Sequence, residues 1–355
     1  MIDFYAEWLQ IARAMWLGDT LEKSSAKLKQ VNFVDADERI QWGFEISGVQ
    51  KLIQKWWQIA FLPLMRWDLE RALFEALLPD TDIRFSESIS EITQTEKTVK
   101  ILFSSWKKED FDLVIWADGI HSNTRKCIFG PEESFLVPTW YHIAIARVPG
   151  DLEEGVVSTH VEKDYFVMSV PTQSKDTIGI FGFTSPTEVP SRDMQAKFIK
   201  DTFEGTSSLA KAICSKIDVT ERIFFDEVAQ VHMEKWTKWR VALIGDTAAC
   251  PTLLSWQGAI MAMTEAYVLA HELHTSQWNY STAFKKYESL LMPILKDKMV
   301  NSRKISGTII PSSTWKKNMF YFLARFMKYD FFLKLMLQGF LKPIIFDTKK
   351  YPLGI

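Results

Sequence analysis

Twice in this chain an apolar run ends at an acid beside a glycine: Val114-Ile-Trp-Ala leads into Asp118-Gly119, and Val241-Ala-Leu-Ile leads into Gly245-Asp246. Four apolar residues are too few for a helix, and the turn residues that bound them suit a buried strand reaching its carboxyl end. A helix start follows each turn. In open α/β sheets ligands sit beyond the carboxyl ends of strands, where a helix amino terminus offers unpaired N–H groups to a polar ligand. A buried strand-to-helix turn with an ordinary capping aspartate would show the same residues.

The elements around these turns are legible in outline. Beyond Asp246 a loop carries Pro251, Ser255 and Gly258, and small residues then recur at Ala259, Ala262, Ala266 and Ala270. That spacing gives one helix face that can approach a sheet or a flat ligand closely. Residues 3–21 read as an amphipathic helix with Leu9, Ala12, Met15 and Trp16 on one face. Residues 30–59 read as short strands. Residues 65–77 read as a helix with Leu69, Leu73, Ala76 and Leu77 inward, and Arg66 at its start is either a ligand contact or a surface arginine. A strand meander is predicted over 83–111, with strands over 142–148, 165–170 and 177–183 and helices near 194–203 and 207–217. Phe166, Met168, Phe181 and Phe183 line either an apolar pocket or core. Residues 280–346 read as helical and aromatic, but Arg325, Lys328, Asp330 and Lys334 interrupt them, so no run reaches the ~20 apolar residues of a membrane span. A helical cover is expected there, with peripheral membrane contact as the other reading.

Composition bounds the class. With 355 residues, 47% apolar and 24% charged, the chain can bury a large core and is expected to form two intertwined domains. A net charge of −2, spread over mixed-sign segments, gives no case for nucleic acid. Cys127, Cys214 and Cys250 lack C-x-x-C spacing and are odd in number, which suits a reducing cytoplasm. No signal peptide is expected over residues 1–19. Scattered histidines, His271-Glu-Leu-His274 without i, i+4 spacing, and the lack of a Gly-x-Ser-x-Gly elbow lead us to assign no metal and no nucleophile. Nothing in the sequence specifies an oligomer.

Taken together, the two motifs and the helix at Arg66-x-Asp-Leu resemble the FAD-dependent aromatic hydroxylases of the para-hydroxybenzoate hydroxylase type, a family that includes tetracycline-modifying flavin monooxygenases. The resemblance implies that fold: α/β, with an FAD-binding domain over 1–29, 63–130 and 236–275, an interleaved substrate sheet over 30–62 and 131–235, and C-terminal helices over 276–355. It implies Gly245 and Asp246 at the ribityl chain of FAD, and Pro251, Trp256 and Gly258 along the isoalloxazine ring. It also implies Arg66 near the ribityl-pyrophosphate region, and Asp118 and Gly119 at the pyrophosphate and NAD(P)H, with Arg125 as the trailing basic residue. The implied reaction reduces FAD with NAD(P)H and uses molecular oxygen to hydroxylate a small aromatic or polycyclic molecule. No catalytic side chain is assigned, because the flavin carries the redox chemistry.

Departures are as informative as matches. The first glycine-rich phosphate loop, G-x-G-x-x-G, is absent, so the chain reads as beginning about 30 to 40 residues late, the length of one βαβ unit. Gly179-Ile-Phe-Gly182 is read as a packing feature. Ala249 and Leu253 stand where the family carries histidine and proline. Trp16, Trp67, Trp116 and Trp256, and in addition Trp106, Trp140 and Trp239, stand where similar sequences carry glycine, whereas Trp236 matches a family tryptophan. An indole at a glycine site costs about 1–3 kcal/mol in overpacking, against a typical stability of about 5–15 kcal/mol. Two explanations are open: a UGA codon that encodes glycine and is written as tryptophan, or a flavin-free remnant of the family that acts as a binding or interaction protein.

Overall fold

The computed structural model describes residues 2–5, 7–57, 61–150, 152–184, 188–218, 223–252, 254, 257–328, 331–332 and 334. Its largest element is a seven-stranded sheet, in the order Phe224–Val231, Leu136–Pro149, Asp176–Thr184, Tyr165–Pro171, Val156–Glu162, Gln30–Val34, Ile40–Glu45. All neighbours are antiparallel except Val156–Glu162 with Gln30–Val34. One face packs under helices Gln195–Phe203 and Ser208–Cys214, with Phe181, Phe183, Phe203 and Ile213 between. The other face meets Met65, Leu254 and Ile310, so it backs onto the residue before Arg66 and the loop that follows Asp246.

Phe166, Phe181 and Phe183 are core. A Cβ at Gly182 would fall 2.1 Å from the Phe166 ring, and one at Gly179 would fall 2.4 Å from Ile213. Packing, as expected, accounts for both glycines.

A three-stranded sheet orders Thr237–Lys238, Val241–Leu243 and Val114–Trp116, a second holds Ile89–Gln94, Val99–Phe103 and Lys108–Phe111, and Ile2–Tyr5 pairs with Phe61–Leu64. Over them lie helices Gly258–Thr275 and Tyr280–Ile309, whose Val268, Leu269, Tyr287 and Leu291 share a core with Val241–Leu243. No described helix is long and apolar enough to cross a membrane.

Three expectations need correction. Residues 3–21 are not one helix: strand Ile2–Tyr5 precedes helices Glu7–Ala14 and Gly18–Lys23, because the backbone turns left-handed at Trp16, φ +58°. Residues 30–59 hold helix Ile46–Trp57 after their two strands. In helix Arg66–Glu75 the inward residues are Leu69, Ala72 and, half-buried against the same core, Leu73, while Ala76 and Leu77 lie past its end and are exposed.

Candidate functional site

Strands Val241–Leu243 and Val114–Trp116 run parallel with Leu243 opposite Trp116, and the Ile244 amide donates to the Trp116 carbonyl at 2.9 Å. Both acid-glycine turns therefore leave the sheet side by side. Thr247 fastens them together. The Gly119 amide donates to Thr247 Oγ1 at 2.9 Å, and that hydroxyl lies 3.1 Å from Asp118 Oδ1, to which it donates. Asp118 Oδ2 accepts from the Thr124 amide at 3.2 Å, at the start of helix Asn123–Phe129, where Ser122 caps the Arg125 amide. Arg125 is fully buried. Its guanidinium donates to the Thr247 carbonyl at 3.1 Å and to the Ile120 carbonyl at 2.5 Å, so it binds one turn to the other from within. Burial lowers its pKa, opposed by the charges of Glu132 and Asp118.

The Gly245 turn is held from the opposite side. Gly245 has φ +63°, and a Cβ there would lie 3.2 Å from that of Ala262; glycine is the residue that takes this conformation against a helix without strain. Its amide donates to Glu265 Oε2 at 2.7 Å. Tyr287 donates from its hydroxyl to the same oxygen at 3.2 Å and lies 3.0 Å from the Leu243 carbonyl. Glu265 is fully buried with Oε1 unpartnered, and burial pushes its pKa well above the usual carboxylate range, against the stabilising effect of the Gly245 and Tyr287 hydrogen bonds.

Asp246 is the exposed member of this buried turn. The surrounding protein desolvates its carboxylate and raises its pKa, with a Cys250 hydrogen bond and the charge of Arg66 acting in the other direction. Gly258 opens the neighbouring helix, and a Cβ on it would sit 3.4 Å from Asp246 Oδ1. The N-cap residue of helix Gly258–Thr275, Gln257, does not cap it with its side chain, and the first amides of a helix have no intrahelical partner. Pro251 is buried, and the next residue, Thr252, is bound through its hydroxyl to Ser306 at 2.8 Å, which ties the loop to helix Tyr280–Ile309.

Of the residues expected at the site, Gly245, Asp246 and Gly258 lie together, Arg66 is near enough for its charge to act on Asp246, Pro251 is in the same loop, and Asp118 and Gly119 join them through Thr247. Trp256 lies outside the described residues. Trp67 is partly exposed at the start of its helix, and Trp116 buries an indole N–H that has no partner. Thr247, Glu265 and Tyr287 escaped the sequence reading. Position was the available signal for Thr247, next to the acid. Glu265, an acid in the small-residue face of an apolar helix, was visible as an anomaly.

The FAD-binding domain family matches residues 39–289, well over half of the chain. A flavin-dependent monooxygenase of Legionella longbeachae is 30% identical over 286 residues, 79% of this chain and 72% of the relative. Another flavin-dependent monooxygenase, from an unknown prokaryotic organism, is 28% identical over 300 residues, covering 83% of this chain and 76% of its own. Among solved structures, the tetracycline destructase Tet(55) superposes with a TM-score of 0.78 at 24% identity, over 96% of this chain and 86% of that one. Klebsiella pneumoniae HpxO, in complex with FAD and uric acid, gives 0.79 at 18% identity, over 98% and 89%. These two establish the likeness of fold, and the sequence matches establish the kinship: the chain belongs to the FAD-binding domain family of flavin-dependent monooxygenases.

Proposed function

We propose that a cleft at Asp246 and Gly258 holds FAD, and that the protein uses NADH or NADPH and molecular oxygen to hydroxylate a small aromatic or polycyclic molecule. The observation that carries this reading is the pairing of a desolvated carboxylate at Asp246 with a helix start at Gly258, where a Cβ would sit 3.4 Å from Asp246 Oδ1. The residues fit the cofactor. Asp246 can accept from a ribityl hydroxyl. The absence of a Cβ at Gly258 leaves room for a flat ring, and the uncapped helix amides can donate to its polar edge. Arg66, whose charge already acts on Asp246, stands near enough to balance the negative charge of a dinucleotide.

The turn at Asp118-Gly119 has another part. Its carboxylate and amide are bound to Thr247 and Thr124, so it sets the wall of the cleft and leaves the Gly119 backbone, at φ +84° with open space around a would-be Cβ, for pyrophosphate or nicotinamide to approach. In this reading segments 1–29, 63–130 and 236–275 form the cofactor half, and the seven-stranded sheet forms the substrate half. Bound FAD would supply the redox chemistry, passing reducing equivalents from the nicotinamide to oxygen, one atom of which enters the substrate and the other leaves as water. The protein's own work is to hold the ring and keep the two strand ends in register.

The test is NAD(P)H oxidation by the flavin-loaded protein against a panel of phenols and planar polycycles in labelled dioxygen. One labelled oxygen atom in a product, with nicotinamide consumed in step, is the expected result. A protein that binds FAD but neither oxidises nicotinamide nor labels any product would contradict the reading.

A further inference from the structure

Tryptophan occupies the left-handed backbone of this protein out of all proportion to its abundance. Ten described non-glycine residues have a clearly positive φ, and five of them are tryptophan: Trp16 at +58°, Trp106 at +66°, Trp140 at +65°, Trp239 at +53° and Trp278 at +62°. The chain has fourteen tryptophans in 355 residues. A bulky Cβ-bearing residue is disfavoured in this region, which glycine enters freely.

Local geometry says which residue each turn demands. After helix Glu7–Ala14 the Trp16 amide donates to the Arg13 carbonyl at 3.0 Å and the Leu17 amide to the Ala12 carbonyl at 2.8 Å. Those two bonds define a Schellman helix end with residue 16 at its left-handed position, which is usually glycine. Between strands Val99–Phe103 and Lys108–Phe111, the Trp106 amide donates to the Phe103 carbonyl and the Phe103 amide to the Lys107 carbonyl, both at 2.9 Å. This is a three-residue hairpin loop whose last residue is left-handed, again a glycine position. Lys238 pairs with Val241, so Trp239 and Arg240 are a two-residue hairpin loop, and the positive φ falls on its first residue, where the type II′ turn takes glycine. Trp140 sits in the bulge where the pairing of Val228 and Ala229 jumps from Tyr141 to Pro138. Trp278 lies one residue past the Schellman position of helix Gly258–Thr275, which Gln277 holds (Gln277 amide to the His274 carbonyl at 3.0 Å, Trp278 amide to the Leu273 carbonyl at 2.8 Å), and its own backbone is left-handed as well.

No packing offsets this strain. The five indoles are 63–82% exposed and project from five separate turns. Trp236 is the contrast: it is 1% exposed, has ordinary backbone, and its ring lies 5.5 Å from that of Tyr287. Trp236 is used as tryptophans are, and the five are placed where glycines are.

We infer that residues 16, 106, 140, 239 and 278 are glycine in the polypeptide that folds, their codon being UGA in a code that reads UGA as glycine, while residue 236 is a true tryptophan encoded by UGG. The inference stands on backbone geometry and is independent of the reaction. Position 278 joins the set on structure alone, since nothing in the sequence singled it out.

Peptide mass spectrometry of the protein isolated from the cells that encode it decides the matter. Glycine at all five positions with tryptophan at 236 is the expected result; tryptophan at any of the five overturns the inference. A second measurement needs no native source. A chain carrying Trp16→Gly, Trp106→Gly, Trp140→Gly, Trp239→Gly and Trp278→Gly together is expected to melt higher than the chain as written, by roughly 5 °C or more, whereas Trp236→Gly lowers the melting temperature. A five-glycine chain that melts at the same temperature or lower overturns the inference.

Discussion

Thr247 and Asp118 lie 129 residues apart in the sequence and share a hydrogen bond of 3.1 Å, which locks together the ends of two parallel strands. The same hydroxyl accepts the Gly119 amide. Thr247→Val keeps the side-chain shape and removes the hydroxyl, leaving the half-buried Gly119 amide and a carboxylate oxygen of Asp118 unmatched. A loss of about 1–3 kcal/mol in denaturant unfolding is expected, together with weaker FAD binding in a fluorescence titration. Unchanged stability would show that the latch contributes nothing.

Gly258 and Gly245 separate binding from folding. Gly258→Ala places a methyl about 3.4 Å from Asp246 Oδ1 in the cleft, so FAD affinity is expected to fall while the melting temperature holds. Gly245→Ala meets both a left-handed backbone and Ala262; it is expected to cost about 1–3 kcal/mol of stability, read by chemical denaturation.

Glu265 makes stability depend on pH with a definite sign. Burial raises its folded pKa above its unfolded value, so the fold holds the proton more tightly. Its contribution is complete below the unfolded pKa and drains away as pH rises through the folded one. Glu265→Gln, neutral at every pH, is expected to remove that alkaline loss, which for one group reaches at most about 1.4 kcal/mol per pH unit. Melting curves from pH 5 to 9 on both proteins check it; parallel curves would place the charge elsewhere.

Tyr287→Phe is the partner experiment. It removes the hydroxyl shared by Glu265 and the Leu243 carbonyl without changing the ring, and a cost of about 1–2 kcal/mol is expected. In a double-mutant cycle with Glu265→Gln the two losses should be less than additive, because both act on one hydrogen-bonded oxygen.

The site was legible where chemistry is local. Gly245-Asp246 and Asp118-Gly119 announce themselves because a strand end, a turn and a helix start are adjacent in the chain. Glu265 and Tyr287 support the Gly245 turn from helices that follow it, and nothing short-range in their neighbourhoods says which backbone amide or carbonyl they will meet. The helix over 3–21 was misread for a different reason. Its stop signal is a left-handed C-terminal position, and that position carries Trp16, which continues the apolar pattern where glycine would have ended it. Helix Ile46–Trp57 was hidden by the loosely alternating apolar residues of the strands before it, a local pattern that tertiary packing does not continue past Glu45.

The central claim is that Asp246 holds the cofactor, and flavin titration of the purified protein beside Asp246→Ala tests it most directly. Saturable FAD binding that weakens about tenfold or more in the variant, a loss of about 1.4 kcal/mol or greater, with an unchanged melting temperature for the flavin-free proteins, is the predicted result. Equal FAD affinity in the two proteins, or no binding by either folded chain at high micromolar FAD, would contradict it.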